Sequence, residues 1–292
     1  MVSLKSCLCL ILGSLTWNAS VFSDEAGLQL AEKTQNAPSY EPDQQVVNSC
    51  QLNCCPEKKP VCWQDSRFEI GANYTYVNLN PQGHRTFKGS LGGIQALYEY
   101  RPLNFLYGGA KFTWREGNPK GSLGHRSLLY IDAQERLGYT FACKDNRWLF
   151  TLFSGFGYRH LDQKFKPKTG SSVRFNYNEF YVPVGFLSDY VVDSLFTIGV
   201  GLTWMPQVYP TVTITPLKGA RWILTNRLNN FFVEIPLTFS LTDDKRFSLI
   251  LNPFYEHWED GHSTAKAGGV SLGLPGNIYN FWGIELNFSY RF

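Results

Sequence analysis

The chain closes on Tyr279–Phe292, "YNFWGIELNFSYRF". Trp282, Ile284, Leu286, Phe288, Tyr290 and Phe292 share one parity with the preceding Ile278, and Gly283, Glu285, Asn287, Ser289 and Arg291 share the other. Successive side chains of a strand point to opposite faces, so this stretch reads as a ribbon with one apolar side and one polar side. The apolar side has to meet something apolar.

Further upstream the same alternation recurs in segments bounded by turn residues, giving ten in all: Arg67 to Asn80, Lys88 to Arg101, Phe105 to Arg115, Leu128 to Phe141, Trp148 to His160, Phe175 to Val191, Leu195 to Trp204, Phe231 to Thr242, Phe247 to Trp258 and the closing stretch. Their links alternate in length. The even links "PLN", "ACKDNR", "VDS" and "DDKR" are short, whereas most odd ones, such as "EGNPKGSLGHR" and "EDGHSTAKAGGVSLGLPG", are long. An up-and-down barrel with short turns at one rim and long loops at the other gives this rhythm. Trp148 to Tyr158, Phe196 to Trp204 and Trp282 to Phe292 bracket apolar stripes with aromatics. At roughly 3.3 Å per residue and a tilt near 40°, each stripe is about 20 to 25 Å tall, the height of a lipid-facing band between aromatic girdles.

An aromatic share of 16 % with 26 glycines agrees with a sheet protein of tight turns. The net charge of +3, without a Lys/Arg run, argues against nucleic acid as a partner. Residues 1–23, "MVSLKSCLCLILGSLTWNASVFS", read as a signal peptide, because the apolar run Cys7 to Trp17 is about half of the roughly 20 residues a spanning helix needs. Residues 24–66 lack periodicity and carry four cysteines, so they read as a Cys-rich periplasmic tail or linker. Residues 67–292 form the barrel. The fold class expected is all-β: a transmembrane up-and-down antiparallel barrel of about ten strands.

The sequence resembles the small outer-membrane β-barrel proteins of Gram-negative bacteria. Phe288, Tyr290 and Phe292 match the terminal pattern by which the barrel assembly machinery recognises such chains, and "FYVPVGFLSDY" and "FFVEIPLTFSL" resemble their Pro-containing strands. The resemblance implies an outer-membrane location, contact with its lipid, and the tail in the periplasm. A Cys-bearing segment ahead of a barrel is also similar to the disulfide cross-linked envelope of chlamydia-like bacteria. Cys50, Cys54, Cys55, Cys62 and Cys143 then fall on the oxidising periplasmic side, where disulfides persist, and their odd number leaves one for an envelope partner or as a free thiol. A zinc site is the weaker reading, since the tail has no His.

Glu69, Glu99, Lys111, Arg115, Asp132, Arg136, Arg159, Glu179, Glu234, Glu256 and Glu285 fall on the interior parity. They form either a network of ion pairs filling a narrow barrel or a charged solute path. Gly155, Gly157, Gly199, Gly201 and Gly283 would leave space for the path. Three features strain a simple barrel: Pro183, Pro236 and Pro253 should force bulges, Glu135 falls on the lipid-facing parity, and "TVTIT" and "RWILT" are too short to span and should rise above the membrane.

His84, His125, His160, His257 and His262 map to the long-loop rim, where "YEHWEDGHS" and "RHLDQ" gather acids and histidines. No G-x-S-x-G or H-E-x-x-H arrangement accompanies them, and no cofactor is expected. The function expected is a narrow porin-like channel for ions or very small solutes, not an enzyme. A surface adhesin or disulfide-linked structural envelope protein is the alternative, and a rim hydrolase stands behind both.

Overall fold

Alternation becomes ten antiparallel strands. The computed structural model describes residues 65–82, 85–143, 146–215, 221–267 and 270–292, side chains at 264–272 excepted. The strands are β1 (Ser66–Pro81), β2 (Phe87–Tyr100), β3 (Leu106–Gly117), β4 (Gly124–Cys143), β5 (Trp148–Pro167), β6 (Val173–Tyr181 and Val184–Val191), β7 (Phe196–Trp204), β8 (Phe231–Glu234 and Leu237–Ser240), β9 (Phe247–Asp260) and β10 (Asn277–Arg291). Each pairs with its sequence neighbours, and β1 closes the ring on β10 from Arg67↔Arg291 to Pro81↔Asn277. Both described ends of the chain therefore lie at the short-turn rim. Signal peptide, tail, Cys50, Cys54, Cys55, Cys62 and His84 lie outside the described residues.

Phe68, Ile70, Tyr74, Leu137, Phe156, Val200, Trp282, Ile284, Leu286 and Phe288 all stand exposed on the outer wall. A continuous apolar belt is out of place in water, where exposed apolar patches rarely exceed a few hundred Å². It suits hydrocarbon, which demands that every backbone group be paired internally, as a closed ring does.

Beyond the upper aromatic girdle the pattern inverts. Val77 and Leu79 on β1 and Tyr279 and Phe281 on β10 are completely buried inside the barrel, while Asn78, Asn80 and Asn280 take the outward positions. The switch is level on both strands, since Tyr76 pairs with Trp282 outside and Val77 with Phe281 inside. Leu91, Leu128, Leu161, Trp222 and Trp258 join these residues in one apolar core at the long-loop end. Thus the barrel wall stands in lipid below and in water above, and each side chain set follows its solvent.

Two expectations are corrected. The prolines force no bulge. Pairing of β8 with β7 runs from Phe231↔Trp204 to Phe239↔Phe196 without an inserted residue, and β5 runs past Pro183 from Trp148↔Tyr190 to Gly157↔Tyr181 in constant register. A proline lacks the ladder donor, but its own carbonyl still accepts, as in Gly199 N to Pro236 O at 2.8 Å and Ile235 N to Pro253 O at 3.0 Å. Nor do the glycines leave space. A Cβ on Gly157 would sit 2.1 Å from the Tyr181 ring and one on Gly283 2.3 Å from the Phe254 ring, so aromatic rings of neighbouring strands lie flat where the glycines lack side chains. Glu135 stands where its parity puts it, exposed on the outer wall between Ala110 and Phe156. The short pieces Thr211–Thr215 and Arg221–Ile223 do form a hairpin, joined to the upper part of β6.

Candidate functional site

The polar parity of the strands meets inside the barrel and stacks in levels. At the short-turn mouth Arg67 pairs with Glu69 at 2.9 Å and with Glu99, which also accepts from the Tyr107 hydroxyl at 2.8 Å. Arg101 pairs with Asp189 beside them. One level up, Lys111 Nζ lies 3.5 Å from Glu234, and the Asn252 amide donates to both Glu234 (2.9 Å) and Glu285 (2.8 Å). Arg136 donates to Gln134 and stacks on Phe153 at 4.8 Å.

Above these, Arg115 Nη1 meets Glu256 at 2.7 Å, the Tyr130 hydroxyl donates to the same carboxylate at 2.7 Å, and Tyr181 donates to Asp132 at 2.8 Å. The top level is Arg159, completely buried, 2.8 Å from Glu179, 3.5 Å from Asp260 and 4.3 Å from the face of Trp258. Every charged position read from the interior parity thus points inward. Burying a charge is costly unless it is paired or hydrogen-bonded, and most of these groups meet an opposite charge, a tyrosine hydroxyl or an amide.

In a ring of ten the strand opposite any one lies five places away. Lys111 and Glu234 join β3 to β8, Tyr130 and Glu256 join β4 to β9, and Gln163 and Tyr279 join β5 to β10, each by a direct side-chain contact. The lumen is therefore bridged across its diameter at three levels. A cavity of about 40 Å³ lies below the lowest bridge, lined by Glu69, Glu99 and Asn252, and one of about 30 Å³ lies between the Lys111 and Tyr130 bridges, lined by Asp132, Tyr181 and Glu256. At roughly 10–15 Å³ per water on this measure, each holds a few waters.

Residues that sequence reading grouped at the rim separate. Glu256 and Asp260 face inward, whereas His257 and Glu259 face outward, with His257 Nδ1 2.8 Å from Asn280 Oδ1. His160 is likewise outward, 2.9 Å from Asn178, and Asp162 beside it is held by Arg174. His125 is also on the outer wall, and His262 is exposed just beyond β9. None of the four described histidines reaches the interior carboxylates. Cys143 ends β4 at the short-turn rim.

Sequence reading missed Arg101, Asp189, Asp260 and the tyrosine hydroxyls as partners in this interior. The parity of β6 and β9 carries Asp189 and Asp260 inward, so the signal was present. It also missed the inversion, whose signal is the adjacent apolar pairs Tyr76–Val77 and Phe281–Trp282.

Closed ring, lipid-facing belt and polar lumen define an outer-membrane β-barrel fold. No protein-family model matches the chain, and no curated protein does. Among solved structures it is similar to the outer-membrane protease OmpT from Escherichia coli, with a TM-score of 0.53 at 9% identity, over 78% of this chain and 96% of that one. The translocator domain of the autotransporter NalP from Neisseria meningitidis aligns with a TM-score of 0.43, 11% identity, over 79% of this chain and 90% of that one. The Pseudomonas putida toluene transporter TodX aligns with a TM-score of 0.42, 10% identity, over the same shares.

The expectation of a chain that is not an enzyme is corrected by the first of these: a protease is built on this fold, so the architecture does not set enzymes aside. The comparisons lend no support to a chlamydia-like source.

Proposed function

We propose that the chain is a closed outer-membrane barrel that anchors and presents its surfaces, as a structural or adhesive envelope protein, instead of conducting solutes. The observation that carries this reading is the set of side-chain contacts between opposite strands, with an apolar core above them. A porin-like path needs a hydrated lumen lined by groups that leave room; here the interior acids and bases are engaged with partners within the barrel and the glycine faces are covered by neighbouring atoms. On this reading Phe288, Tyr290 and Phe292, all exposed on the outer wall of the last strand, serve the assembly machinery. The cysteines of the tail and Cys143 serve disulfide contacts with the envelope.

Deleting the gene in its host tests this. Uptake of small hydrophilic solutes across the outer membrane is expected to stay unchanged while resistance of the envelope to detergent falls. Slower solute uptake with an intact envelope would reject the proposal in favour of a channel.

A further inference from the structure

On the outer wall, above the apolar belt, basic side chains line up across neighbouring strands. Lys88 on β2 stands directly opposite Lys120, Lys120 opposite His125 on β4, and His125 opposite Lys166 on β5. One step below, Lys164 stands opposite Arg174 on β6. All four lysines and Arg174 are exposed. Like charges directly opposite one another across a sheet repel and are destabilising unless something neutralises them. Among the acids nearby, Asp162 neutralises Arg174, which leaves the four lysines, and Glu116 pairs with Leu129, well below His125 on β4.

The row occupies one side of the barrel. At comparable heights β1 shows Asn78 and Asn80, β9 His257 and Glu259, and β10 Ile278 and Asn280. Its height is informative as well. Tyr158 belongs to the upper aromatic girdle of β5, and Lys164 and Lys166 lie about 15 to 20 Å further up the tilted strand. Pointing sideways from the wall at that level, these groups face whatever stands next to the barrel above the hydrocarbon edge, at the height of bulky headgroup sugars.

We propose that this basic row binds the phosphorylated or carboxylated sugar headgroups of lipids in the surrounding outer leaflet. Lysine ammonium groups and a guanidinium are suited to phosphate and carboxylate oxygens, and several in a row fit a headgroup carrying several anions. A lateral row accounts for this source better than a ligand arriving from solution, which would meet the loop tips first. The proposal depends on the long-loop end facing outward, and it stands whether or not the lumen conducts.

The test is binding of purified lipopolysaccharide to the full chain in detergent, followed by native mass spectrometry. Wild type is expected to retain the lipid and to lose it at least tenfold when NaCl is raised from 0.1 to 0.5 M. Replacing all four lysines (Lys88→Gln, Lys120→Gln, Lys164→Gln, Lys166→Gln) is expected to lower binding at least tenfold, and the four Lys→Arg replacements to restore it. Salt-independent binding, or equal binding by the Gln variant, overturns the proposal. Binding of the deacylated phosphorylated sugar as tight as that of the intact lipid would point to a soluble ligand and overturn the leaflet assignment. So would failure of a membrane-impermeant amine reagent to label these lysines on whole cells stripped of lipopolysaccharide, a result that leaves the closed lumen untouched.

Discussion

Tyr130 and Glu256 stand on strands at opposite sides of the ring, yet the Tyr130 hydroxyl donates to Glu256 Oε1 at 2.7 Å. A side chain of each reaches the barrel axis, and Arg115 closes on the same carboxylate from β3 at 2.7 Å. The three groups hold the wall together from inside, so removing one leaves a buried charge without its counterpart. Arg115→Met alone is expected to lower unfolding free energy by about 3–5 kcal/mol, whereas Arg115→Met with Glu256→Gln should cost clearly less than the sum of the single changes. Urea unfolding in lipid vesicles measures both, and additive losses would show the pair to be uncoupled.

Leu79 and Asn80 are neighbours in sequence on opposite faces of β1 above the girdle, the leucine fully buried and the asparagine exposed. Leu79→Ala is expected to cost about 2–5 kcal/mol, and Asn80→Ala to stay within about 0.5 kcal/mol. Equal effects in the same unfolding assay would mean that the upper barrel has no apolar interior.

Glu135 faces lipid from the middle of β4, flanked by Ala110 and Phe156. A carboxyl group in hydrocarbon is costly, though less so than a lysine or arginine there. Glu135→Leu is therefore expected to stabilise the barrel, by on the order of 1–2 kcal/mol. A loss of stability instead would reveal a polar partner for this residue.

In the turn between β8 and β9, Asp244 accepts from the Thr242 hydroxyl at 2.6 Å and from the Arg246 backbone N–H at 3.2 Å. These bonds hold its carboxyl below the usual aspartate range. With the folded value depressed, the contribution is present above the unfolded value and is lost as pH falls below about 4. Asp244→Asn should therefore remove part of the acid dependence of stability below about pH 4 and change little at pH 7, as read from melting temperature against pH.

Much of this architecture was legible in the sequence because alternation is a local property. Strand limits such as Trp148 and Phe247, and the inward position of charges from Glu69 to Glu285, follow from parity alone. What parity does not state is which side is wet. A strand that leaves the membrane keeps alternating while its apolar face moves from outside to inside, and only the doublets Tyr76–Val77 and Phe281–Trp282 mark the change. Pairing across the lumen was hidden for another reason. Tyr130 and Glu256 are brought together by closure of the ring, which is set by all ten strands at once, and no spacing along the chain encodes that distance. The glycine faces misled in the same way, since the rings that cover them come from neighbouring strands.

The claim on which the account turns is that contacts between opposite walls, and the apolar core above them, close the lumen. Single-channel recording of the purified, folded full-length chain in planar bilayers tests it most directly. The account predicts a flat baseline at applied potentials of both signs, and discrete, reproducible conductance steps from the wild-type barrel would contradict it.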